Sequence, residues 1–203
     1  MADNASLFVV KRTFYDEKPH GLEPEYKIAL PATFVDLKAA KAFAKEVLKQ
    51  EGYDVDLLPV YEVNNDPSNW KHGDGVIVYA KGPEGELLEV SIDTIANTSG
   101  LKAEEQTGRL PKPLFHVVQT IVDYNEDRSG AKRTCMVEAT FDTEKAAIEY
   151  GLTVLLDEDT TKSDFVQYEE YKDGNQSGFG QDIIVHAIKE GGQNFFVSVL
   201  SES

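Results

Sequence analysis

Apolar and polar positions alternate along most of this chain in short runs, and only two stretches switch to helical spacing. A first strand is predicted over Phe8–Tyr15, rich in β-branched and aromatic residues, and a second over Tyr26–Phe34. Between them, Lys18-Pro19-His20-Gly21 has turn composition. From Asp36 the period changes: Leu37, Ala40, Phe43, Ala44, Val47 and Leu48 recur every three or four residues, which puts them on one face of a helix that Gly52 ends. Three more strands follow, Leu57–Val63, Val76–Ala80 and Leu87–Ile92, the last two joined by a hairpin loop over Lys81–Gly85.

The same order then returns. Strands are predicted at Phe115–Val122 and Arg133–Phe141, a helix from Glu144 to Leu156, and closing strands at Phe165–Tyr171, Ile183–Ile188 and Phe195–Leu200. Sliding the sequence against itself by 107 residues explains why. Leu7-Phe8 falls on Leu114-Phe115, Ala32-Thr33-Phe34 on Ala139-Thr140-Phe141, and Lys38-Ala39-Ala40 on Lys145-Ala146-Ala147. Val47-Leu48 falls on Val154-Leu155, Tyr61-Glu62 on Tyr168-Glu169, and Val90-Ser91 on Val197-Ser198. Roughly one position in four is identical in one register, against about one in seventeen by chance, the signature of an internal repeat.

The fold class read from this pattern is α+β: a tandem duplication of a ββαβββ unit, each an antiparallel sheet with one helix. Residues 1–96 form the first copy and 114–203 the second. The polar segment 97–113, which ends in Pro-Lys-Pro, is the linker. Val76–Ala80 and Ile183–Ala187 are nearly continuous apolar runs, the mark of strands buried on both faces. One helix covers one face of a sheet, so the expectation is that the sister copy covers the other, in pseudo-two-fold packed sheets or a shared barrel.

Charge narrows the range of functions. The chain carries 36 Asp and Glu against 20 Lys and Arg, a formal net charge of -16. Direct binding to nucleic acid phosphates or to an anionic membrane needs a basic footprint, so neither is expected. A basic protein partner fits this charge, and so does plain solubility. No apolar run has the length of a membrane span, and Asp3 stands where a signal peptide carries basic residues, so a cytoplasmic location is expected. The single cysteine, Cys135, builds neither a disulfide nor a cysteine zinc site, and its apolar setting suits a buried, inert thiol.

Candidate chemistry is sparse. Tyr61-Glu62 and Tyr168-Glu169 stand out because both copies keep them, and a mid-strand glutamate is a candidate general base or ligand anchor. Strand alternation offers a plainer account, with each Tyr inward and each Glu toward solvent. Trp70 and His72 share a loop and are suited to lining a pocket, although Ser177 and Phe179 replace them in the second copy. His186, in place of Tyr79, reads as a core or interface histidine. Asp123–Gly130 superficially resembles a calcium loop, but Arg128 stands where glycine is needed. Lys172–Gly180 is glycine-rich without a Gly-Lys-Ser/Thr and precedes a strand, so it is not a phosphate loop. No catalytic residue, metal or cofactor is assigned. The leading expectation is a non-enzymatic binding or assembly protein with an acidic surface. The alternatives are a small-molecule-binding protein or enzyme with its cleft between the copies, and a mimic of nucleic-acid polyanions.

Overall fold

The computed structural model describes residues 5–17, 25–126, 133–171, 177–180 and 182–203. The turn read at Lys18–Gly21, the centre of the calcium-like loop and residues 172–176 of the glycine-rich loop lie outside them. The described chain divides into two compact units: 1–96 with 102–111 and Ser203, and 97–101 with 112–202. Among the described residues, no helix is long and apolar enough to cross a membrane.

In the first unit the elements are β1 (Ser6–Asp16), β2 (Glu25–Phe34), α1 (Leu37–Gln50), β3 (Val60–Val63), β4 (Val76–Lys81) and β5 (Leu87–Ala96). All pairings are antiparallel, in the order β2-β1-β5-β4-β3. Pro31 lacks an N–H to give to a ladder, and it lies in a strand at the sheet's edge. The chain must travel from edge strand β2 to the opposite edge strand β3, and α1 makes most of that crossing. Fourteen residues of helix span about 21 Å, close to the ~19 Å of four inter-strand spacings. Asp36 starts α1 by accepting a 2.7 Å hydrogen bond from the Ala39 amide. Its buried stripe, Ala40, Ala44, Val47 and Leu48, packs on Val10, Ala32, Val78, Ala80, Leu88 and Val90. The small alanines let the helix axis approach the sheet closely. Along the outer edge of β2, the Leu110 amide donates to the Thr33 carbonyl at 2.8 Å and Arg109 Nη2 to the Pro31 carbonyl at 2.7 Å.

The second unit repeats this plan as β6 (Phe115–Asp123), β7 (Arg133–Phe141), α2 (Glu144–Gly151), β8 (Phe165–Glu170), β9 (Ile183–Lys189) and β10 (Gln193–Ser201), in the order β7-β6-β10-β9-β8. The 107-residue offset carries over into strand register. Phe8 pairs with Phe34 as Phe115 does with Phe141, Glu62 with Tyr79 as Glu169 does with His186, and Ala80 with Leu88 as Ala187 does with Phe195. Thr143 caps α2 as Asp36 caps α1. The duplicated α+β unit is therefore a structural fact as well as a sequence pattern.

Two elements are three or more residues shorter than expected, while β5 runs past the predicted Ile92 to Ala96. The second helix stops at Gly151, short of the predicted Leu156. Glycine and the β-branched Thr153 and Val154 are poorer helix formers than the Ala-Lys-Glu-rich end of α1, and the Thr153 amide already turns back to the Tyr150 carbonyl at 3.0 Å. Gly151 is also where α2 comes closest to its sheet: a Cβ there would lie 2.6 Å from Ile184 Cδ1. The third strand begins at Val60 and not Leu57, because Asp54 caps a tight helical turn over Val55–Leu57 and Pro59 follows it.

His116 on β6 is fully enclosed, with Nδ1 2.9 Å from Thr140 Oγ1 and Nε2 3.9 Å from a Glu202 carboxylate oxygen that is equally buried. Burial pushes the His116 pKa down to about 4, so the ring is neutral in the fold. The unfolded chain, with an ordinary histidine near 6.5, takes up a proton that the fold refuses. The contribution is complete above about pH 6.5 and falls as pH drops toward about 4, by on the order of 3 kcal/mol. Urea titrations across that window are expected to show His116→Gln losing this slope relative to the parent chain.

Candidate functional site

Alternation along β3 and β8 sends the two residues of each Tyr-Glu pair to opposite faces of their sheets. Tyr61 joins the core under α1 and donates from its hydroxyl to the Lys45 carbonyl at 3.3 Å; Tyr168 donates to the Leu152 carbonyl at 3.2 Å. Burial raises the pKa of both phenols. These tyrosines tie the helical connection of each unit to its sheet. Glu62 and Glu169 emerge on the face away from the helix.

In the first unit that face carries a connected polar cluster. The loop after β3 is anchored at both ends: the Asn64 amide donates to the Ile77 carbonyl at 2.8 Å, and the Ile92 amide donates to the Gly75 carbonyl at 2.9 Å. Asp66 folds its first half by accepting from the Ser68 amide, the Ser68 hydroxyl and the Asn69 side chain at 2.6–3.0 Å. Gly75, with φ +81°, turns the chain into β4 where a Cβ would press on the Ile92 carbonyl at 3.3 Å. The loop thus lays His72 on Tyr79, ring centroids 3.7 Å apart and nearly parallel, with Trp70 edge-on to His72 at 4.8 Å. His72 Nε2 donates to Glu62 Oε2 at 2.6 Å, and Lys71 Nζ lies 3.3 Å from the other oxygen. The hydrogen bond from His72 is the main reason the Glu62 pKa is lowered.

Beyond Tyr79 in the same register stands Glu89. Desolvation raises its pKa, and the nearby charges of His72 and Lys11 partly offset this. Lys11, almost wholly buried, donates to both oxygens of Asp93 at 2.8 and 3.0 Å. Five side chains of alternating character, Glu62, His72, Glu89, Lys11 and Asp93, therefore run across one sheet face. The structure brings Glu62, Trp70 and His72 together. Tyr61 lies on the other side of the sheet, and Tyr168 and Glu169 belong to the second unit.

The second unit keeps the geometry and changes the chemistry. Phe179, at the position of His72, lies 4.4 Å from His186, and His186 stacks on Phe196 at 4.7 Å. The imidazole has moved from loop to strand: His over Tyr in one copy has become Phe over His in the other. Glu89 has become Phe196, and Lys11 and Asp93 have become Val118 and Leu200. His186 Nε2 donates to Asn194 Oδ1 at 2.8 Å, and among the described residues Nδ1 of this almost fully buried ring has no hydrogen-bond partner. Glu169 accepts from Tyr171 at 2.6 Å and from Gln167 at 2.8 Å, and its pKa is lowered mainly by Tyr171. Burial and that bond push the Tyr171 pKa up to about 12. Over Tyr79 and His186, then, each unit's own loop lays a ring on the strand.

A shallow, open depression of about 340 Å³ is lined by Arg12, Glu51, Gly52 and Tyr53. Arg12 Nε reaches Glu51 Oε2 at 2.6 Å, placing a cation at the C-terminal end of α1, where it complements the helix dipole. Gln119, Glu158, Asp159 and Thr160 stand at the equivalent positions, so the pairing is not duplicated. Among the described residues, no three side chains gather as metal ligands.

The chain matches no known protein family, no curated protein and no solved structure.

No motif in the sequence singles out Glu89, Lys11 or Asp93. The repeat register aligns His72 with Phe179 and Tyr79 with His186. That exchange generates a prediction. His72→Ala removes a ring stack worth about 1 kcal/mol and frees the loop, whereas the double exchange His72→Phe with Tyr79→His rebuilds the second unit's arrangement. Urea denaturation followed by the fluorescence of Trp70, the only tryptophan, is expected to show an early loop transition in the alanine variant and none in the double variant.

Proposed function

We propose that this chain is a non-enzymatic binding or assembly protein whose partner is a basic protein. The observation that carries the reading is Phe179. It is 55% exposed, yet its position is fixed from below by His186 and Phe196. It is also fixed locally, where the Phe179 amide donates to Ser177 Oγ at 3.2 Å and that hydroxyl donates to the Gly180 carbonyl at 2.7 Å. An aromatic side chain held in one place with half its surface presented loses little entropy on contact, the property of interface anchors. A net charge of -16 supports a basic partner, through steering and through exclusion of acidic ones. A chain with one cysteine suits a reducing compartment, and the reading places the protein in the cytoplasm.

A second reading has its own support. The Glu62–His72 pair beside the half-buried Glu89 combines carboxylates in different environments with an imidazole, the parts from which acid–base sites are made. It would make the first unit a small-molecule-binding protein or an enzyme. The third reading, a polyanion mimic, shares the charge argument and is separated from the first by dependence on Phe179.

Immobilised Lys/Arg-rich, neutral and acidic peptides of equal length test the proposal. The basic set is expected to retain the protein in a salt-sensitive way, and Phe179→Ala to weaken retention by about 30-fold, the scale of an aromatic anchor. Undiminished retention of the alanine variant would overturn the anchor, and a set of small-molecule thermal shifts abolished by His72→Phe would favour the second reading.

A further inference from the structure

The two copies place a carboxylate at the same point of the sheet and satisfy it differently. Glu62 pairs with Tyr79 and Glu169 with His186, each beside the ring that the following loop lays on the next strand. In the first unit the loop also brings the counter-charge: Lys71 Nζ and His72 Nε2 lie 3.3 and 2.6 Å from the two oxygens of Glu62. The 107-residue offset puts Gly178 at the position of Lys71 and Phe179 at that of His72. Both donors are gone from the second unit, and the carboxylate remains.

What holds Glu169 is neutral. The Tyr171 hydroxyl donates to Oε2 at 2.6 Å and Gln167 Nε2 to Oε1 at 2.8 Å. These bonds, that from Tyr171 first, keep the Glu169 pKa below its ordinary value, so the group is charged at neutral pH. Among the described residues, no lysine or arginine pairs with it. Each of its oxygens keeps a further lone pair to offer. Phe179 leaves 55% of its surface exposed while His186 and Phe196 fix it from below. A Cβ on Gly178 would meet nothing within 4 Å, so the space a side chain would enter there is open.

An ionised carboxylate next to a fixed, exposed aromatic ring is the complement of a guanidinium. The edge of that group donates paired hydrogen bonds to the carboxylate while its plane stacks on the ring. A lysine ammonium matches the charge and not the plane. We propose that Glu169 and Phe179 bind an arginine side chain of the partner protein, which supplies from outside the cation that Lys71 and His72 supply within the first unit. The inference rests on the binding reading above and names the group that its aromatic anchor receives.

The test uses the full chain with a nine-residue arginine-rich peptide and its lysine-rich counterpart, followed by fluorescence anisotropy. Glu169→Gln removes the charge and keeps an acceptor for Tyr171. Glu149→Gln, on α2 and therefore on the helix-covered side of the sheet, removes the same charge elsewhere. Gly178→Lys combined with Phe179→His rebuilds the first unit's own cations in the second. The arginine peptide is expected to bind about 10-fold more tightly than the lysine peptide, and to lose about 10-fold in Glu169→Gln and in the combined variant. In Glu149→Gln the change is expected to stay under about 3-fold, the scale of an exposed charge. Equal losses in Glu169→Gln and Glu149→Gln, or equal binding of the two peptides, would overturn the arginine site and leave the binding reading standing. If no basic peptide binds at all, both fall.

Discussion

A five-stranded sheet has two faces, and each unit of this protein supplies one helix. Most of the architecture follows from that shortage. The helix is committed to one face by its alanine-rich stripe and by the crossing it must make between edge strands. Whatever else the strands carry over β3–β5 and β8–β10 has to be accommodated on the opposite face. The loop between the third and fourth strands does this locally in both units, by folding back and laying a ring on the strand beneath it.

The two copies meet this requirement with different chemistry. In the first, the ring is an imidazole and the surrounding positions are charged, so partial burial is tolerated because each carboxylate has a donor beside it: Glu62 accepts from His72, and Asp93 pairs with Lys11. Removing one member of a buried pair strands the other, at several kcal/mol, whereas replacing both with apolar residues is often neutral. The second copy has taken that route, with Val118 and Leu200 at the positions of Lys11 and Asp93. One of its buried titratable groups, His116, takes the place of Val9 and stays neutral. The copies thus share a backbone solution while their non-helical faces diverge.

Divergence of this kind gives function a direction. A polar, internally paired cluster in one unit and an exposed aromatic on a ring platform in the other are not two versions of one site. In the second unit Phe179 covers His186 and still leaves 55% of its surface exposed, which is what a contact with another molecule requires. The first unit's charged cluster is occupied with itself.

Much was legible in the chain before any coordinates. The 107-residue offset, the order ββαβββ in each copy, the helical stripe from Ala40 to Leu48 and the division of Tyr61 from Glu62 all rest on local periodicity, which the sequence displays directly. Where local propensity was mixed, boundaries moved: Gly151 and Thr153 shortened the second helix, and Pro59 delayed the third strand. The partners of Glu62 were out of reach. Tyr79 is joined to it by strand register, and His72 by a loop whose path depends on Asp66, Gly75 and the Ile92 amide acting together. Glu89 joins them only because β5 lies beside β4. Periodicity says which way a side chain points, and the sequence by itself determined that much. Which side chains meet is set by pairing between distant strands and by the return path of loops, and only the tertiary structure decided it.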